Sequence, residues 1–169
     1  MAGSDREGFT RWARDRQLAL LRTAVLVTGD HQRAEDLVQE ALTQVALRWR
    51  QLHDGHPDAY ARQVIVRTNI SWWRRRRREV VSDDAVQRGA AYSHEHRSDS
   101  RLALDRALAA LTPRQRSVIV LRYYEDLSER DTAETLGVST GTVKSQTHLA
   151  LRRLRESSPH LAVMLEDYR

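Results

Sequence analysis

Cysteine is absent from the chain. That excludes disulfides, zinc ribbons and thiol nucleophiles together, and it suits a reducing compartment. Lysine is nearly absent: Lys144 stands alone beside 27 arginines. Arginine offers a planar fork of donors for phosphates and base edges, although GC-rich coding produces the same bias. Long apolar runs are missing as well. Runs such as Ala24, Val25, Leu26 and Val27 are far too short for a bilayer, and residues 1–9 lack the apolar core of a signal peptide. A soluble, intracellular protein is expected. The seven glycines form neither a phosphate-binding loop nor a nucleophile elbow.

The 169 residues carry a net charge of +5, unevenly spread. Residues 1–81 hold +5, residues 82–101 hold −1 and residues 102–169 hold +1. The middle stretch is rich in Ser, Asp, Arg and His and poor in large aliphatics, and it reads as a linker that leaves the orientation of two flanking domains unset. Elsewhere the apolar residues recur with helical period, and no alternating strand pattern is visible. Leu37, Val38, Ala41, Leu42, Val45 and Trp49 mark one face of a helix over 34–49, with Glu35, Asp36, Gln39, Glu40 and Gln44 opposite. A longer helix is predicted over 58–78. Thr112, Pro113 and Gln115 spell a capping box with proline at the first helical position. Ser128 and Ser139 are predicted N-caps, and Gly137 the stop between them. The expectation is an all-α chain with helical domains at 1–81 and 102–156, a linker at 82–101 and a tail at 157–169. The tail's apolar patch, Leu161, Ala162, Val163, Met164 and Leu165, is expected to pack on the second domain.

Residues 128–155 fit a helix-turn-helix. Ala133, Leu136, Val138, Val143, Leu151 and Leu154 would hold the pair together. The second helix would present Ser139, Thr140, Thr142, Lys144, Ser145, Gln146 and His148, then Arg152, Arg153 and Arg155. Short polar side chains reach base edges and cations hold phosphates, though the same pattern suits a helical hairpin with a solvated face. The wording of the segment says more. Leu136-Gly137-Val138-Ser139-Thr140-Gly141-Thr142-Val143-Lys144-Ser145, followed by Ala150-Leu151-Arg152-Arg153-Leu154-Arg155, resembles region 4 of sigma factors, as does Leu111-Thr112-Pro113-Arg114-Gln115-Arg116 before it. Ala34-Glu35-Asp36-Leu37-Val38-Gln39-Glu40-Ala41-Leu42 is similar to region 2 of the same family. Both motifs in this order in so short a chain resemble the extracytoplasmic-function group, with an actinobacterial source implied.

The resemblance implies a subunit that targets core RNA polymerase to promoters, with no cofactor and no metal. Asp36, Leu37, Gln39 and Glu40 would dock on the β′ clamp helices, and region 4 would lie against the β flap. Ser139, Thr140, Thr142, Val143, Lys144, Ser145, Gln146, His148 and Arg152 would read the −35 element. Gln146 departs from the family, which usually has a long basic residue there; glutamine pairs with adenine where arginine prefers guanine. The loop of His53, Asp54, Gly55, His56 and Pro57, with Arg62, Asn69, Trp72, Trp73, Arg74, Arg75, Arg76, Arg77 and Arg78, would engage the −10 element. Arg62 stands where the family often has tryptophan. Five consecutive arginines repel one another unless phosphates neutralise them; if all five did so, the salt slope of binding would approach about −4 to −5, an upper bound. Adjacent tryptophans cannot share a helical face, so either one is core and the other faces the nucleic acid, or both are core.

Three other readings compete. An enzyme would need more than His94 and His96, which have no cysteine or paired carboxylates nearby. A plain repressor would need neither the basic tryptophan-bearing helix nor the acidic stripe. A decoy that only titrates an anti-sigma regulator would have no use for the cations of 74–78 and 144–155. An anti-sigma partner is compatible with the sigma reading. Extruding a base from the −10 duplex costs a few kcal/mol, so the free protein is expected to bind promoters weakly.

Overall fold

The computed structural model describes residues 3–82 and 99–168. Most of the expected linker, with His94 and His96, lies outside the described residues. Those described form nine α-helices and one π-helical turn, with no strand.

Helix α1 (Gly3–Thr28) ends at Gly29, where φ is 75°. Asp30 caps α2 (His31–Leu47), its carboxylate accepting the Arg33 amide at 2.9 Å. The helix expected over 34–49 stops at Leu47. Arg48 leaves helical geometry at φ −111°, and a single turn, α3 (Trp49–Leu52), follows. Trp49 there lies 5.6 Å from the Phe9 ring and 5.8 Å from Trp12, centroid to centroid. Helix α4 (Pro57–Ser82) then returns along α1 and α2, one turn longer than the sequence suggests. Leu20, Ala24, Leu37, Val38, Ala41, Val45, Ala61 and Ile65 close this core.

The second unit contains α5 (Asp99–Ala109), α6 (Pro113–Ile119), the π-helical turn Val120–Tyr124, α7 (Glu129–Leu136), α8 (Thr140–Ser157) and α9 (Pro159–Asp167). Its helix starts follow the sequence signals. Thr112 and Gln115 form the reciprocal capping box, while Ser128 and Ser139 accept the amides of Asp131 and Thr142. Gly137 is left-handed, at φ 67° and ψ 42°, and turns α7 into α8. Helix α9 is the apolar tail. Ala162 is fully buried and Leu161 and Leu165 are partly so, whereas Val163 and Met164 face outward.

The two units do not hang freely. Val27 and Val66 of the first share a buried cluster with Val120 and Leu121 of the second, rimmed by Leu26, Leu127 and Leu136. Two arginines frame it reciprocally. Arg116 of α6 donates from Nε to the Leu26 carbonyl in the last turn of α1, beside Gly29. Arg67 of α4 donates to the Thr135 and Glu134 carbonyls, at 2.9 and 2.7 Å, at the end of α7 beside Gly137. Each cation meets carbonyls of the last turn, at the negative end of that helix. Glu125, just after the π turn, accepts from the Thr23 hydroxyl and from Arg62 Nη1 at 3.3 Å. The orientation that the polar linker leaves unset is thus fixed by direct packing of the domains it joins.

Candidate polymerase and nucleic-acid interfaces

Asp36, Gln39 and Glu40 are exposed on one face of α2, as the i, i+3, i+4 spacing requires. Leu37 is not on that face. It is 4% exposed and belongs to the core of the first unit, so direct docking through Leu37 is corrected to a structural role. The stripe of Asp36, Glu40 and Thr43 continues to Leu47, which is 75% exposed. Beside it runs an open groove lined by Phe9, Leu42, Trp49 and Gln39 among others. The sequence pattern assigned nothing to Leu47.

In the second unit, Thr140, Lys144, Ser145, His148 and Arg152 are exposed along α8, and Thr142 and Gln146 are half-buried. Val143 is 0% exposed and packs with Val118 and Ala133. It holds α8 against α6 and α7, so its expected contact with DNA is corrected. Several short hydroxyls are occupied by their own helix. Ser139 Oγ accepts Thr142 N at 3.1 Å and Ser145 Oγ donates to Thr142 O at 3.0 Å. Lys144 Nζ lies 3.6 Å from Glu129, Arg153 donates to Gln115 at 3.2 Å, and Arg155 pairs with Glu166. Among the described residues Thr140, Gln146, His148 and Arg152 have no side-chain partner, and they remain available to base edges and phosphates.

The other basic surface lies on the second half of α4. Arg74, Arg75, Arg76, Arg77 and Arg78 are all exposed, and no described carboxylate pairs with them. Neither tryptophan is core. Trp72 is half-buried, Trp73 is 38% exposed, and the rings meet edge to face at 4.9 Å. The loop at 53–56 is exposed, with His53 on the edge of Trp49. Two expected contacts are not available in this arrangement. Asn69 is 0% exposed; its Nδ2 donates to Val27 O at 3.4 Å and its Oδ1 accepts from Arg33 Nε at 3.1 Å. Arg62 is held by Glu125. Asn69 is enclosed within the first unit by α1 and α2, whereas Arg62 is held at the seam between the two units. Arg33, Arg67, Arg116 and Glu125 escaped the sequence reading because single charged residues on helices carry no signal of a distant partner.

The chain matches the family model of Sigma-70 region 2 over residues 10–79 and that of Sigma-70, region 4 over residues 101–154. An RNA polymerase sigma-E factor of Streptomyces coelicolor is 43% identical over 150 residues, covering 88% of this chain and 84% of its own. This chain belongs to the extracytoplasmic-function sigma factors of RNA polymerase. The ECF sigma factor SigL of Mycobacterium tuberculosis is 34% identical over 151 residues, with 85% of each chain covered. A solved structure of the sigma factor RpoE in complex with the anti-sigma factor NepR from Bartonella quintana superposes with a TM-score of 0.72. It is 26% identical, and the match covers 90% of this sigma factor and 97% of that chain. As a sigma factor, the chain directs promoter-specific initiation by core RNA polymerase. Among the described residues no helix is long and apolar enough to cross a membrane.

Proposed function

We propose that the three exposed surfaces divide the work of initiation. The stripe of Asp36, Gln39 and Glu40 docks on the β′ clamp helices, and Leu47 extends that contact into an apolar margin. Residues 102–156 lie at the β flap, and α8 reads the −35 element through Thr140, Gln146, His148 and Arg152. The 53–57 loop, Trp73 and the arginines of 74–78 engage the −10 element. The single observation that carries this division is that α2, α4 and α8 each bury one face and expose another, where no described carboxylate pairs with the arginines of 74–78 and no described side chain bonds Thr140, Gln146, His148 or Arg152. The protein performs no chemistry of its own; the polymerase supplies it, in the cytoplasm. RpoE of Bartonella quintana was solved with an anti-sigma factor, which supports a regulator of that class here.

The packed seam is a second reason to expect weak promoter binding by the free protein. Arg62 is held where α4 meets the second unit, and the end of α7 is held by Arg67. Reaching the −10 and −35 elements together requires the units to separate, at the cost of the shared apolar cluster and both arginine contacts.

Run-off transcription with core polymerase on a pool of genomic fragments tests the reading. Transcripts that start downstream of shared motifs only when the protein is added support it. Folded protein that binds duplex DNA alone and yields no new transcripts overturns it.

A further inference from the structure

Arg33 is held where its charge is disfavoured. It lies in the first turn of α2, at the positive end of that helix. Its guanidinium carbon sits 3.5 Å from the Trp72 ring centroid, and that of Arg76 sits 5.0 Å from the same indole. Burial pushes Arg33 down from the ordinary arginine value, as do the charges of Arg76 and Arg75, while Asp30 and Asp36 act in the other direction. No described carboxylate comes within ion-pair distance of Arg33, and the Asp30 oxygen nearest in sequence is spent on the helix cap. The side chain is nevertheless fixed. Its plane stacks on Trp72 and its Nε is bonded to the buried Asn69 amide. Among the described residues nothing accepts from its Nη nitrogens.

A pre-oriented guanidinium fork with free Nη donors, beside two more cations and a helix N-terminus, lacks only an anion. We propose that Arg33 is a DNA-binding residue, forming with Arg76 on the Trp72 indole, and with the nearby charge of Arg75, a seat for one backbone phosphate of the −10 promoter strand. Asn69 is then a positioning residue that aims Arg33 and does not itself touch DNA. This rests on the −10 assignment of α4 made above, and it adds a ligand from a second helix that a reading of α4 alone does not contain.

The test is the salt dependence of promoter binding by holoenzyme assembled from core polymerase and full-length chain. Arg33→Gln is expected to lower the slope of log affinity against log salt by about 0.7–0.9, the contribution of one phosphate contact. Arg33→Lys keeps the charge but loses the stacking and the Asn69 bond; it is expected to retain the wild-type slope while melting at a lower temperature. A neutral methylphosphonate at the contacted phosphate is expected to cost wild-type holoenzyme the same slope and the Arg33→Gln variant nothing further. A slope unchanged in Arg33→Gln, with both variants merely less stable, makes Arg33 a structural residue and overturns the proposal. Wild-type holoenzyme that shows no promoter binding overturns the −10 assignment itself, a distinct failure.

Discussion

Asn69 shows how a polar side chain can be buried without loss. Its amide has two partners, the Val27 carbonyl at the end of α1 and the Arg33 guanidinium of α2, so three helices meet on one residue. Replacing it with leucine strands a carbonyl and a charged donor away from water. The expected loss of stability is about 1–3 kcal/mol, read as a lower urea midpoint with an unchanged slope. Gln146 makes a different kind of prediction, because no described residue bonds its side chain. Glutamine pairs with adenine and arginine with guanine. Gln146→Arg is therefore expected to leave stability within about 0.5 kcal/mol and to move one −35 position from A toward G in a promoter-selection experiment. An unaltered preference refutes a role for Gln146 in base reading.

At the scale of the element, α2 separates two roles that share one sequence motif. Leu37 points into the core and Glu40 away from it. Leu37→Ala is expected to cost about 2–5 kcal/mol of stability by opening a cavity. Glu40→Lys is expected to leave the melting temperature alone and to weaken assembly with core polymerase, measured by titration of the labelled protein. If both variants fail alike in folding and assembly, the motif is structural throughout. The α7–α8 turn depends on a backbone conformation. Gly137 is at φ 67°, and a Cβ there would lie 3.1 Å from Arg67 Nη2. Gly137→Ala is expected to cost about 1–2 kcal/mol from the left-handed backbone alone, with further loosening of the contact to α4.

The whole molecule is a clasp of two small units. Its apolar part, around Val27, Val66, Val120 and Leu121, is modest; its polar part uses arginines of each unit on the helix ends of the other. Arg67→Ala removes two hydrogen bonds to α7 carbonyls and leaves both cores intact. The expected result is a larger radius of gyration by small-angle scattering, with unchanged helix content and stronger binding of the free protein to promoter DNA. A variant as compact as the wild type, with no gain in DNA binding, argues that the apolar cluster alone closes the molecule.

Most of the local architecture was legible in the residues themselves. The caps at Thr112, Ser128 and Ser139, the left-handed stop at Gly137 and the apolar periods of α2 and α8 act over one or two turns, so sequence spacing determines them. The chain's polar stripe and its run of arginines were legible for the same reason. Tertiary structure decided the rest, because the partners are far apart along the chain. Whether Leu37 and Val143 face inward depends on what packs against their helices. Whether Asn69 is open to DNA depends on Val27 and Arg33, 42 and 36 residues away, and whether Arg62 is open depends on Glu125, 63 residues away. Arg33 acquired its meaning only when α4 laid Trp72 beneath it. A lone charge on a helix says nothing of the indole or carbonyl it will meet; only the packing of helices against one another can supply that.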